Sequence, residues 1–414
     1  MIAGSKKMTK TEIVEAAFRV WGRNFYRKTS LSQLAGELKV SKPALYRHFE
    51  KKQALNAAMN ERFFDDFSAS IRADFEKALQ TADTDEGIYT ILQSITGFYA
   101  RNVYALLFSL VNIYNRNLDS HSVSEHLKTR GTDVKIIQLI IEKKYNASPI
   151  LLNLIFATLT FYLAHFHKSN NSFFKTPSGE SIQKIKTSIY ETIKNGIGFS
   201  AKETDALDFN KLENMVEGTM RRDEPEPLLK AIAEAVAETG PWETSMDMVA
   251  KRMGISKSSL YGHFKNKKDM LRRLFMSEFE RIIDFARQGI KLSANTAEQL
   301  YLGIFSIAVY LRSRPEILIA IDWIRTRKLD LGKPAKKTDI FRLFSDIKFE
   351  SLDNLDEDTK LVTYHWILFL LTNILTQPFM TKTQQTGISS EKVQNNDIRI
   401  LYRFITLGLG GFIR

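Results

Sequence analysis

Two short stretches of this chain carry side chains suited to gripping a polyanion. "SKPALYRHF" runs from Ser41 to Phe49, and "SKSSLYGHF" runs from Ser256 to Phe264. On a helix, Leu45 and Phe49 lie four apart and face inward, while Lys42, Pro43, Tyr46 and Arg47 share the opposite face. Hydroxyl, ammonium, phenol and imidazole groups on that outer face can donate to phosphates or meet base edges. Just beyond, Lys51 and Lys52 begin the next helix, as Lys267 and Lys268 do in the second copy. Cations at a helix N-terminus work against the helix dipole. A local rule broken twice at the same place points to function, and a cation there is well placed to hold a phosphate.

The elements that present these groups can be read from their caps. Ser30 and Ser245 are placed to N-cap a helix whose apolar residues in the first copy are Leu31, Leu34, Ala35 and Leu38. A tight turn follows, "KVSK" in one copy and "GISK" in the other. Gly254 suits the left-handed residue that this turn needs, and Lys39 fills it in the first copy at a cost of about 1 kcal/mol. Ser41 then caps the next helix, with Pro43 tolerated in its first turn. Two helices joined this way form the unit that lays its second helix in the major groove of DNA.

Sliding the chain by about 215 residues aligns "TEIVEAAFRVWGRNFYRKTSLSQLAGELKVSKPALYRHFEKKQAL" with "EPLLKAIAEAVAETGPWETSMDMVAKRMGISKSSLYGHFKNKKDM" without a gap. The chain is a tandem duplication. Each copy continues in an apolar helical stretch and closes with two long amphipathic helices, about 149–168 and 178–199 in the first and 358–377 and 391–412 in the second. Apolar spacing of three and four dominates, with no long alternating pattern, so the expected fold is all-α. The expected organisation is a helix-turn-helix head over 1–62, a helical core over 63–200, a charged linker over 201–224, a second head over 225–275 and a second core over 276–414.

Composition agrees with a polyanionic partner. The 414 residues carry a formal charge of +12, with a pI near 9.5. The charge is uneven: Met1 to Arg62 holds 13 basic and 5 acidic residues, Arg221 to Phe275 holds 11 and 8. There is no cysteine, hence no disulfide framework or thiolate metal site. No cleavable leader is read at the N-terminus, and the greasiest runs read as buried helices, so a cytoplasmic location without membrane insertion is expected. Neither a P-loop, a dinucleotide fingerprint nor a nucleophile elbow appears, and no enzyme, metal or cofactor is implied. His165 and His167 are two apart, a poor metal pair on a helix.

The stretches "TSLSQLAGELKVSKPALYRHFEKKQAL" and "TSMDMVAKRMGISKSSLYGHFKNKKDML" resemble the DNA-binding head of TetR-family transcriptional regulators. The resemblance covers about fifty residues in each copy. It implies a three-helix head, a helical ligand-binding core and dimerisation through two helices near the C-terminus. It further implies backbone-phosphate contacts from Tyr46, His48, Lys52, Tyr261, His263 and Lys267. Groove contacts would come from Lys42, Pro43, Ala44 and Arg47, and from Lys257, Ser258, Ser259 and Gly262. Phe25 opposite Gly240, and Lys39 opposite Gly254, depart from the family pattern in the first copy.

The expected function is a sequence-specific, ligand-responsive repressor, bound to double-stranded operator DNA and to a small-molecule effector. Two copies in one chain imply an intramolecular pseudo-dimer, with a four-headed homodimer as the rival arrangement. The change from Pro43, Ala44 and Arg47 to Ser258, Ser259 and Gly262 implies two unlike half-sites. Tyr99, Asn102, Phe108, Asn112, His165, Tyr310, Asp322, Trp323, His365 and Trp366 are candidate effector-pocket residues. The rival function is a protein-interaction module or scaffold whose degenerate heads no longer read DNA.

Overall fold

The computed structural model describes residues 8–23, 30–111, 120–146, 148–219, 226–327, 343–344, 347, 355–382 and 394–413. Among the described residues the chain is all-α, with one isolated bridge between Tyr145 and Ile413. The first copy holds α1 (Lys10–Arg23), α2 (Leu31–Glu37), α3 (Lys42–Tyr46), α4 (Lys52–Gln80), α5 (Thr84–Arg101), α6 (Val103–Ser109), α7 (Ser120–Lys128), α8 (Lys135–Glu142), α9 (Pro149–Ser169) and α10 (Gly179–Asn195). Two short helices follow, α11 (Ala201–Asp205) and α12 (Phe209–Thr219). The second copy holds α13 (Pro227–Glu243), α14 (Met246–Met253), α15 (Lys257–His263), α16 (Lys267–Ile290), α17 (Thr296–Ser313), α18 (Pro315–Arg327), α19 (Glu357–Lys382) and α20 (Asn395–Leu407), then a 3-10 turn over Gly408–Phe412.

Both heads obey one set of local rules. Ser30 accepts from the Gln33 amide at 3.0 Å, and Ser245 from Met248 at 3.2 Å. Ser41 accepts from the Ala44 amide at 3.3 Å, and Ser256 from Ser259 at 3.0 Å. These bonds satisfy amides that a helix start leaves open. The turn between the two helices closes identically: Val40 N donates to Ala35 O at 3.0 Å, and Ile255 N to Ala250 O at 3.0 Å. Gly254 sits there at φ 64°, and Lys39 takes the same left-handed conformation at φ 53°. Phe25 lies outside the described residues; its counterpart Gly240 has φ 79° and kinks α13 ahead of Pro241.

The chain divides into two compact units, one of residues 1–147, 159–191 and 413–414, the other of 148–158 and 192–412. In the first unit, α4 packs along α5, and α6 packs on α1. An aromatic cluster marks this junction of head and core. Phe18 meets Phe108 at 5.0 Å, Phe63 meets Phe108 at 5.4 Å, and Phe67 meets Phe98 at 5.1 Å between ring centroids.

In the second unit, α16 packs along α17, and α18 packs on α13. The equivalent junction is ionic. Glu278 is 1% exposed and accepts from Tyr310 Oη at 2.9 Å and from Arg314 Nη2 at 3.2 Å. Arg314 also donates to Glu316 at 2.6 Å. Burial, with Glu278 beside it, pushes the Tyr310 phenol up from its ordinary value. The duplication relates these side chains to the aromatic ones: at the 215-residue offset of the heads Glu278 falls on Phe63, and at the 212-residue offset that superposes the N-caps Asp83 of α5 and Asn295 of α17, Tyr310 falls on Phe98 and Arg314 on Asn102. Asn102 and Arg314 both break their helices with the same non-helical backbone, at φ −128° and −130°.

Residues 201–219, where composition reads as a linker, are largely helical. Ser200 and Glu203 form a capping box at α11. Leu212 and Val216 of α12 are buried, and Glu213 between them is 5% exposed. Arg399 clamps the Glu213 carboxylate with two bonds of 2.7 and 2.8 Å, and Tyr301 and Asn395 complete it at 2.6 and 3.0 Å. Burial alone would raise the Glu213 pKa; these donors outweigh it and hold the group below the ordinary carboxylate value. The charge that reads as solvated linker is here a matched buried acid.

The second unit also joins the ends of the two copies. Ile197 N donates to Ile405 O at 2.8 Å, and Phe199 N to Thr406 O at 3.1 Å. A Cβ added at Gly408 would lie 2.5 Å from Ile193 O, and one added at Gly196 would lie 2.7 Å from Gly408 N. Both glycines have positive φ, 60° and 58°. They occupy the same place in two related phrases, "GIGF" and "GLGGF". Trp366 of α19, fully buried, donates its indole N–H to Thr158 of α9 at 3.0 Å.

Helix α9 has 21 residues and a mean hydropathy of 1.6, long and apolar enough to cross a membrane. Its Leu151, Leu154, Leu159 and Leu163 are buried against protein, and Thr158 and His167 make buried hydrogen bonds.

Candidate nucleic-acid interface

Every residue expected at the DNA face has a described position on α3, α15 or the segments that follow them. Leu45, Phe49, Leu260 and Phe264 are buried and fix the inner side. Lys42, Pro43, Tyr46, Arg47 and Lys52 are exposed, with Ala44 and His48 half-buried. In the second head Lys257, Ser258, Ser259, Tyr261, Gly262 and His263 are exposed and Lys267 is half-buried. Tyr46 and Tyr261 stand out at 44% and 47% exposure, high for large aromatic side chains with no solvent role.

The two faces differ in what surrounds their cations. Lys257 Nζ lies 2.8 Å from Asp247, whose place in the first head is taken by Ser32. The hydrogen bond that Lys257 donates to Asp247 raises the Lys257 pKa, and the carboxylate turns a negative group toward the same surface. The start of α16 is capped by Asn266, which accepts from the Asp269 amide at 3.0 Å; Asp269 in turn accepts from Lys265 N at 3.1 Å. At the start of α4 those two positions are Lys51 and Ala54, with no side-chain cap. Lys52 Nζ rests 5.9 Å from the Trp21 ring centroid, a cation–π contact that steadies the ammonium while leaving it exposed. Burial lowers the pKa of its counterpart Lys267, against some opposition from Glu243. Arg252 pairs with Glu234 and Glu238, where the first head carries Glu37, Arg19 and Arg23, each of opposite sign. The first face therefore carries the less opposed positive charge.

The effector-pocket candidates are scattered by comparison. Tyr99 and Phe108 are buried with their rings packed on other aromatics. Asn102 is exposed and donates to Phe98 O at 3.0 Å, and His165 is exposed within 3.3 Å of Ser169. Tyr310 belongs to the Glu278 network, Trp366 bonds Thr158, and His365 is half-buried. Asn112 and the side chains of Asp322 and Trp323 lie outside the described residues. An open depression lined by Ser200, Lys202, Glu203, Asn295 and Glu298 includes none of these candidates. Aromatic content marked packing here, because ring-to-ring contact and pocket lining draw on the same residue types. The repetition of "GIGF" and "GLGGF" at the ends of the two copies is the mark their close approach leaves in the sequence.

The family profile described as "Bacterial regulatory proteins, tetR family" matches residues 13–59 and again residues 228–274. The fatty acid metabolism regulator protein of Bacillus subtilis (strain 168) is 32% identical over 77 residues, which are 19% of this chain and 40% of that protein. Among solved structures, the fatty acid degradation regulator FadR from Bacillus halodurans aligns with 45% of this chain and 97% of its own, at a TM-score of 0.35 and 18% identity. The transcriptional regulator FadR from Bacillus subtilis in complex with stearoyl-CoA aligns with 44% and 97%, at a TM-score of 0.34 and 18% identity.

Proposed function

We propose that this chain, which belongs to the TetR family of bacterial regulatory proteins and carries two of its units in tandem, is a sequence-specific, ligand-responsive transcriptional regulator in the cytoplasm. It works as a covalent pseudo-dimer on an operator with two unlike half-sites, and it represses in the absence of its effector. The observation that carries the pseudo-dimer is the reciprocal glycine contact. Gly196 approaches the backbone at 405–408, and Gly408 approaches the backbone at 193–194. In a two-fold interface residue i meets j and j meets i, and this pair has that form within one polypeptide. Tethering makes the pairing intramolecular, at effective concentrations of about millimolar.

The contacts proposed for DNA are those of the two exposed faces: Lys42, Pro43, Ala44, Tyr46, Arg47, His48 and Lys52 in one head, and Lys257, Ser258, Ser259, Tyr261, Gly262, His263 and Lys267 in the other. For release, an effector must prefer the conformation that does not bind DNA. The name of the Bacillus subtilis relative makes fatty-acid derivatives the first effectors to try.

Affinity selection of sheared host genomic DNA at physiological salt, followed by sequencing, tests this reading. A motif with two dissimilar halves about one helical turn apart is expected. Perfect palindromes would sink the pseudo-dimer, and no enrichment would sink the regulator. A protein-interaction module is the second reading, favoured by one observation: Asp247 occupies Lys257 while Gly262 offers nothing to a base. DNA binding that ignores salt would favour it.

A further inference from the structure

We infer that the first core, and not the second, holds the effector, and that its site takes an uncharged molecule with an apolar body and at least one hydrogen-bond donor. This rests on the reading of the chain as a ligand-responsive regulator.

The site is a strip of buried polar atoms without partners along α5. Gln93 and Thr96 lie one turn apart on that helix, 8% and 0% exposed. Gln93 Nε2 donates to Lys186 O of α10 at 2.9 Å, which fixes the amide and leaves Oε1 as a buried acceptor with no partner. Thr96 Oγ1 is likewise buried without one. His167 of α9, 3% exposed, places Nε2 at 2.8 Å from Tyr99 O, the carbonyl at the end of the same helix. A carbonyl only accepts, so Nε2 carries the hydrogen. Burial lowers the His167 pKa, so the ring is neutral and Nδ1 presents a bare lone pair, buried and unpartnered. From Gln93 to Tyr99 is about 9 Å of helix. Two obligate acceptors and a hydroxyl thus share one short stretch, and native interiors rarely leave such atoms unpaired without a reason. A molecule that completes the strip must donate; an ionised carboxylate, which only accepts, cannot. The rings of Phe67, Phe98 and Tyr99, packed at 5.1 to 5.5 Å, supply apolar surface beside it.

The duplication supplies an internal control. The second-copy counterparts of Gln93, Thr96 and Tyr99 are Phe305, Ala308 and Leu311, which are 0%, 0% and 1% exposed. The strip is absent there, and the nearby buried charges of Glu278 and Arg314 satisfy one another. The unpaired buried oxygens among the described residues of the second unit, at Asn153, Thr204 and Asn373, lie on α9, α11 and α19 and not at these positions.

The test uses the purified full chain without DNA and two probes of equal length, 1-decanol and decanoate, titrated by calorimetry. One decanol per chain is expected, with decanoate at least about tenfold weaker. Thr96→Val, which keeps the shape and removes the hydroxyl, and Gln93→Leu should each weaken decanol about tenfold. Thr96→Val should raise the melting temperature of the unliganded protein, because an unpaired polar atom is gone; Gln93→Leu also forfeits the bond to Lys186 O and is read by decanol binding alone. Decanol binding no tighter than decanoate, two decanols per chain, or unchanged binding in Thr96→Val would overturn the inference. So would a lowered melting temperature in Thr96→Val, the mark of a structural role for that hydroxyl. Because no DNA enters the experiment, selective decanol binding beside an empty genomic selection would dismiss the regulator and keep the site.

Discussion

The two copies of this duplicated chain have kept their turns and exchanged their charges. Both heads retain the serine caps, the left-handed turn residue and the exposed tyrosine. Around that shared frame no acidic partner faces Lys42 or Lys52 among the described residues, whereas in the second head Asp247 pairs with Lys257 and Glu243 acts on Lys267. The cores diverge in the opposite sense: the first joins head to core through aromatic rings, the second through the buried Glu278–Arg314 pair. Backbone geometry tolerates little change, because each cap and turn satisfies specific amides. Side chains on an exposed face satisfy no such amides and are free to drift.

The comparison can be broken hardest at the buried charges. Arg314→Leu strands Glu278 in the second core and should cost about 3–5 kcal/mol in denaturant unfolding. Replacing the set by its first-copy counterparts, Glu278→Phe with Tyr310→Phe and Arg314→Asn, should recover most of that loss. If the triple variant were as unstable as the single one, the two junctions would not be equivalent solutions.

Next in size is the glycine pair. Gly408→Ala sets a Cβ against the Ile193 carbonyl at a positive φ, and about 2–4 kcal/mol of stability should go. Gly36→Ala on α2, with nothing within 4 Å, should be neutral or stabilising by about 1 kcal/mol. Equal effects at the two sites in thermal melts would remove the argument for a close intramolecular approach.

The heads should separate in their response to salt. Lys52→Ala should lower the slope of log K against log salt by about 1, and Lys267→Ala by less. A steeper loss at Lys267 would reverse the ranking of the two faces. The smallest effect is a gain: Asp247→Ser, which copies Ser32, should tighten DNA binding by a few fold, read by titration of a selected site. Gly262→Arg has open space around it and should shift the preference of the second half-site toward that of the first.

The heads were legible because their information is local: a serine three residues before an amide, a glycine at a turn, two apolar residues four apart. Even the left-handed Lys39 followed from alignment with Gly254. What stayed hidden depends on distant partners. Glu213 falls at an apolar register on α12, and nothing near it in sequence announces Arg399, the cation that neutralises it. The effector strip is equally non-local, since it is defined by what Gln93, Thr96 and His167 fail to bond.

If one chain pairs its own two units, the free protein in solution has the mass of a single chain. Sedimentation velocity across a wide concentration range should give a constant 47.5 kDa. A species of twice that mass, or one that grows with concentration, would show that two chains pair and would contradict the account.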